Sequence, residues 1–114
     1  MTQKRLERLR DIAALQRDRD MARLNQLATA RAQTRAKVDA LARPLPLVAD
    51  PALFTARQTH LAWANAQRVL LNQTLAQQTA RVLDQKARTA KSFGRASALD
   101  ALIARGAQRR THSP

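Results

Sequence analysis

Arg43-Pro-Leu-Pro-Leu-Val-Ala-Asp-Pro51 is the stretch that decides how this chain folds. It holds three of the four prolines, the fourth being Pro114. Pro44 and Pro46 lack an N–H and push the residue before them out of the α region, so a helix arriving from the N-terminal side stops there. Asp50 followed by Pro51 reads as a helix start, with a capping carboxylate and a proline at the first helical position. The chain on either side contains little that would break a helix. The expected organisation is a single all-α domain over residues 1–114. It comprises helix 1 over Gln3–Ala42, a Pro-rich bend over Arg43–Asp50 and helix 2 over Pro51–Phe93. A helical extension over Arg95–Arg105 and a frayed basic tail over Gly106–Pro114 follow, with Gly106 as the helix stop.

Composition agrees with that reading. Ala (24), Arg (17), Leu (16) and Gln (11) make up 68 of the 114 residues, and all four favour helices. Tyr is absent and Phe plus Trp come to three, so a β-sandwich or barrel is poorly supplied. Much of the apolar content is Ala, which suits helices that each bury a stripe rather than a thick globular core. Two arms of about 40 residues, each about 60 Å long at 1.5 Å per residue, joined by a short bend should fold into a long antiparallel two-helix coiled-coil hairpin.

Heptad spacing marks the facing seams. In helix 2, Phe54, Leu61, Arg68, Leu75 and Val82 fall seven apart, with Ala64 and Leu71 as companions and Arg57, Gln78 and Gln85 interrupting. In helix 1 the set is Leu6, Ala13, Asp20, Leu27, Thr34 and Leu41, with Leu24 and Val38 beside it and Arg10, Arg17 and Arg31 in the remaining places. Folding about a tip near residue 47 would set Leu41 against Phe54, Leu27 against Arg68, Leu24 against Leu71 and Ala13 against Val82. Everything after Gly94 would then overhang the start of helix 1, carrying its own stripe of Leu99, Leu102 and Ile103.

The net charge of +13 predicts attraction to polyanions. The charge is spread along the chain, however, and five acids lie within residues 1–43. Arg outnumbers Lys 17 to 4, as a GC-biased genome would give without selection for binding. No stacking aromatic set or recognisable nucleic-acid motif accompanies it, so no specific nucleic-acid partner is expected.

Catalytic and cofactor chemistry find little footing. Cys is absent and the two histidines, His60 and His112, are far apart, which argues against a metal site. The only glycines are Gly94 and Gly106, so there is no phosphate-binding loop. No Ser, His and acid fall together, and a two-helix hairpin lacks a dry concave site. The expectation is a protein without enzymatic activity or cofactor. It shows neither a membrane-spanning run nor the apolar core of a signal peptide, and so is expected in the cytoplasm.

Two regions stand out as candidate partner surfaces. One gathers the chain termini: Arg5, Arg8, Leu9 and Ile12 with Arg95, Leu99, Leu102, Ile103 and Arg105. The other is Trp63 with Leu70, two residues beyond seam positions and read as facing away from helix 1. From Gln58 to Ala80 the one charge is Arg68, and a neutral face bearing the one Trp suggests a contact surface. The alternative for Leu99, Leu102 and Ile103 is that they fold back and stabilise the hairpin.

The opening Leu6-Glu-Arg-Leu-Arg-Asp-Ile-Ala-Ala-Leu-Gln-Arg-Asp-Arg-Asp-Met-Ala-Arg-Leu24, together with Lys86–Arg105, resembles the flagellar FliJ family of type III export. The likeness lies in length class, architecture and texture rather than in a diagnostic motif, and the chain is shorter than a typical member. The resemblance implies a stalk in the central hole of a hexameric export ATPase. Such a stalk couples that ATPase to the export gate and handles export chaperones. It also implies a place peripheral to the inner membrane through those partners. The alternatives are a generic coiled-coil scaffold, weakly self-associating, and an arginine-rich nucleic-acid-binding helical protein. They differ in salt response. Random duplex DNA is expected to bind weakly and to be released as salt rises to about 0.15 M. Fluorescence titration checks this, and tight sequence-selective binding at that salt would favour the nucleic-acid reading.

Overall fold

A computed structural model of the chain describes residues 2–45 and 49–112. It consists of helix α1, Gln3–Leu41, and helix α2, Pro51–His112, with no strand among the described residues. The expected all-α helical hairpin is the fold. Pro46, Leu47 and Val48 of the expected bend, and Ser113 and Pro114 of the expected tail, lie outside the described residues.

The helix ends follow from local chemistry. Thr2 caps α1: its Oγ1 accepts from the Arg5 N–H at 3.3 Å, and its carbonyl accepts from the Leu6 N–H at 3.1 Å. At the other end the Arg43 N–H reaches the Ala40 carbonyl at 3.4 Å, tightening the last turn before Pro44 ends it. Asp50 caps α2 as the sequence predicts, its Oδ1 accepting from the Ala52 N–H at 3.0 Å.

One boundary is corrected. α2 does not stop at Phe93 and resume as a separate extension. It passes through Gly94 and Gly106 and continues to His112. Neither glycine has positive φ, so neither forms the left-handed cap that ends a helix. A helical glycine costs about 1 kcal/mol relative to Ala, which flanking Ala, Leu and Arg readily offset. Residues 107–112 are helical rather than a frayed tail.

The chain divides into two compact units, one of residues 27–81 and one that joins residues 1–26 to residues 82–114. In the first, the end of α1 packs on the first half of α2. Arg31 Nε donates to Thr79 Oγ1 at 2.8 Å, and Gln78 Nε2 donates to the Ala30 carbonyl at 3.4 Å. Leu41 and Lys37 share a groove with Gln67 and Leu71. In the second, the start of α1 packs on the rest of α2. Gln85 Nε2 donates to the Asp20 carbonyl at 3.2 Å, and Thr89 Oγ1 donates to the same oxygen at 3.3 Å. Ser92 Oγ donates to the Asp20 carboxylate. A methyl group at Gly106 would sit 3.1 Å from Gln3 Oε1, so the first turn of α1 lies against that glycine.

These contacts correct the pairing read from the sequence while keeping its seams. The predicted heptad positions of both helices are buried or half-buried, except that Phe54 is 53% exposed, and Ala14, Ala30, Gln67 and Thr79 beside the seams are half-buried as well. Each α1 residue, however, meets α2 about two heptads later than expected. Leu41 lies by Leu71 rather than Phe54, and Gln3 lies by Gly106 rather than near residue 92. A shift by whole heptads leaves every seam residue facing inward, so the apolar stripes alone do not choose between the two registers. The overhang therefore falls at the other end of α2. Residues 51–60 reach past the last turn of α1, and the connector from Leu41 to Pro51 spans an axial offset of about 24 Å at 1.5 Å per residue.

Nitroxide labels at positions 16 and 95 test the register by pulsed EPR. They are expected within about 15 Å, since packed helix axes lie 8–10 Å apart. The tip-centred pairing would instead offset them by about 24 Å along the axis.

Candidate partner-binding site

The terminal unit brings most of the first candidate set together. Leu9, Ile12, Ala13 and Gln16 of α1 and Arg95, Ala98 and Leu99 of α2 line an open groove of about 430 Å³. Its α1 residues lie at i, i+3, i+4 and i+7, which share one helix face. Leu9 and Ile12 are 40% and 53% exposed, so apolar surface is left facing water. A second groove of about 360 Å³ is lined by Gln3 and Leu6 with Leu102, Arg105, Gly106 and Arg109. Arg5 and Arg8 are exposed on α1 but line neither groove, and Ile103 is half-buried on the seam.

The expected overhang of Leu99, Leu102 and Ile103 is thus replaced by packing on α1. Leu99 and Ile103 are half-buried and help hold the two helices together, whereas Leu102 stays 46% exposed. The exposed residues of this surface are Leu9, Ile12 and Leu102, framed by Arg95, Arg105 and Arg109. Gln16 and Arg109 join the candidate set here although the sequence reading passed over them. Their inclusion depends on the register, which heptad spacing leaves open.

The second candidate surface lies in the other unit. Trp63 does not face away from α1. It shares a groove of about 460 Å³ with Lys37, Ala40 and Leu41 of α1 and Gln67 and Leu71 of α2. The register accounts for this, because it carries the last turn of α1 alongside Trp63. The indole leans on the His60 ring, with centroids 5.7 Å apart and planes inclined by 39°. Leu70 is exposed and lines no part of the groove.

Charge is distributed by position. Arg17 and Arg31, on the seam, reach its edges: the Arg17 guanidinium lies 5.7 Å from the Phe93 ring centroid, and Arg31 bonds Thr79. The ion pairs Arg10–Asp11, Arg17–Asp18, Arg35–Asp39 and Arg88–Asp84 span 3.3–3.8 Å near or at the surface, where they contribute little to stability. Among the described residues no three His, Cys, Asp or Glu gather as a metal set would require, and no helix is long and apolar enough to cross a membrane. The fold and its grooves define a helical hairpin that presents apolar and basic surface. No protein-family model, curated protein or solved structure matches the chain.

Stability measurements separate structural from exposed leucines. Leu99→Ala/Ile103→Ala is expected to cost about 2–3 kcal/mol in urea unfolding, because both side chains are partly withdrawn from water. Leu9→Ala/Ile12→Ala should cost less than about 1 kcal/mol. Equal losses for the two pairs would mean that Leu9 and Ile12 are structural too.

Proposed function

We propose that the protein is a non-enzymatic stalk or adaptor of a flagellar-type (type III) export ATPase complex, coupling the ATPase ring to the export gate. The observation that carries this reading is the paired helix end in the terminal unit, where exposed Leu9, Ile12 and Leu102 are interspersed with Arg95, Arg105 and Arg109. A ring hole lined by apolar and acidic side chains is the matching surface. The resemblance of residues 6–24 and 86–105 to the FliJ family supports the same end as the inserted one.

A stalk must also resist sliding of one helix past the other. In this unit the bonds from Gln85, Thr89 and Ser92 to Asp20 supply that resistance. The Trp63 groove is left for a second partner, the export gate or an export chaperone. The complex would hold the protein peripheral to the inner membrane, and the chain itself works in the cytoplasm.

Gel filtration and ATP-hydrolysis assays with the export ATPase of the same organism test the proposal. The expected result is a defined complex and faster hydrolysis, both lost in Leu9→Ala/Ile12→Ala with its melting temperature nearly unchanged. Failure of the wild-type chain to bind that ATPase would overturn the stalk reading. Binding that survives the double change would move the contact away from this groove.

A further inference from the structure

The two broad sides of the terminal unit differ in charge. Lys4, Asp11 and Asp18 recur every seven residues on one flank of α1 with Glu7 beside them, and Asp11 and Asp18 pair with Arg10 and Arg17. On α2, Lys86, Phe93 and Asp100 recur in the same way, and the Phe93 ring meets Arg17, so this stripe faces the same side. Acids and bases are mixed there.

The side that holds the terminal groove is different. Arg5 and Arg8 precede Leu9 and Ile12 by four residues, and Arg19 and Arg23 follow Ile12 and Gln16 by seven, so all four share the groove flank of α1. On α2, Lys91 precedes Arg95 by four, and Arg105 and Arg109 stand three and seven residues beyond Leu102. All eight basic side chains are exposed, and none has an ion-pair partner among the described residues. Asp84, two turns before Lys91, is held by Arg88 at 3.6 Å. Along the groove the order is basic, apolar, basic. Arg5, Arg8, Arg105 and Arg109 stand at the end where Leu6 meets Leu102. Arg19, Arg23, Lys91 and Arg95 stand toward Asp20, which α2 meets through Thr89. Between them Leu9, Ile12, Ala98 and Leu99 line the recess.

We propose that this groove holds an acidic amphipathic helix of another protein. Its apolar residues occupy the middle turns, and Asp or Glu occupies the first and last turns. Its length is about 18 residues, because α1 rises about 27 Å from Arg5 to Arg23. Charge complementarity selects this occupant: eight unpaired cations in two groups frame an apolar floor that a third helix can bury. A duplex or a bilayer would meet the basic rims without filling the recess between the helices. A second copy of the chain is ill suited, since both of its helices carry at least twice as many basic as acidic residues. The inference shares its groove with the export-ATPase reading but rests on this charge order, whichever protein supplies the helix.

Fluorescence anisotropy of the full chain with a labelled helical peptide of that length tests it. The peptide carries Leu on one face of its middle turns and Glu in its first and last turns. At about 0.15 M salt it is expected to bind with a Kd of about 10 µM. A peptide of the same composition with Glu in the middle and Leu at the ends should bind at least about tenfold more weakly. Arg19→Glu/Arg23→Glu should weaken binding by a similar factor with the melting temperature nearly unchanged, because both side chains are exposed and unpaired. Lys4→Glu/Lys86→Glu makes the same change of charge on the other side and should leave the affinity nearly unchanged. Equal losses for the two pairs, or equal binding of the two peptides, would mean that charge acts without this geometry and would overturn the proposal. So would failure to bind the first peptide, or tighter binding of random duplex DNA or phosphatidylglycerol vesicles at the same salt. Peptide binding by a chain that does not bind the export ATPase would sustain this inference and sink only the stalk reading.

Discussion

Asp20 occupies a seam position of α1, where a carboxylate is costly unless the facing helix supplies donors. Gln85 Nε2 and Ser92 Oγ donate to that carboxylate, and Thr89 Oγ1 donates to the Asp20 main-chain carbonyl; the three lie at i, i+4 and i+7, a spacing that lines one face of α2 over two turns. The three are 7%, 5% and 3% exposed, and Gln85 and Thr89 also bond each other, so the layer is polar and connected. The tip-centred register would instead bring Asp20 level with Leu75. The leucines and alanines of the two seams recur every heptad and accept either arrangement, and this polar layer does not.

Everything that bears on the terminal unit follows from that constraint. It carries the last turns of α2 onto the first turns of α1. There Leu99 and Ile103 become structural, and Leu9, Ile12 and Leu102 remain as exposed apolar surface among arginines. It also places Gln3 against Gly106, which turns an expected helix stop into a seam position. In the other unit the same count of residues brings Lys37, Ala40 and Leu41 to Trp63 and leaves Phe54 and Leu53 outside the pairing.

The seam is thinly filled. The buried apolar residues are Ala13, Val38, Ala64, Val82 and Ala96, and no large side chain among the described residues is fully buried. Thr34, Gln85, Thr89 and Ser92 share the buried positions. Arg68 Nε and Gln78 Oε1 are buried without a hydrogen-bond partner among the described residues, each a cost in the unit that holds the bend. Small and polar seam residues trade burial for a defined register. The large apolar side chains that the seam does not use, Leu83, Trp63 and Ile12 among them, stand on the outside, where a second helix or a partner can bury them.

The sequence by itself determined that the chain forms two helices, the capped start of α2, and the seam residues of α1 and of α2 as far as Gln85. These depend on local chemistry and on a period of seven: Asp50–Pro51 starts α2, Pro44 ends α1, and Leu6, Ala13, Asp20 and Leu27 fall on one face. It also named Leu9, Ile12, Arg95, Leu99, Leu102 and Arg105 of the terminal surface, because Leu and Arg cluster near both ends of the chain, but not Gln16 or Arg109. The tertiary structure alone decided how far one helix is displaced along the other, and with it whether residues 95–105 overhang or pack and which way Trp63 faces. The physical reason is that a heptad repeat is degenerate under translation by seven. The short proline-rich connector invited a tight turn, and the hydrogen bonds from three residues of α2 to Asp20 required a longer reach.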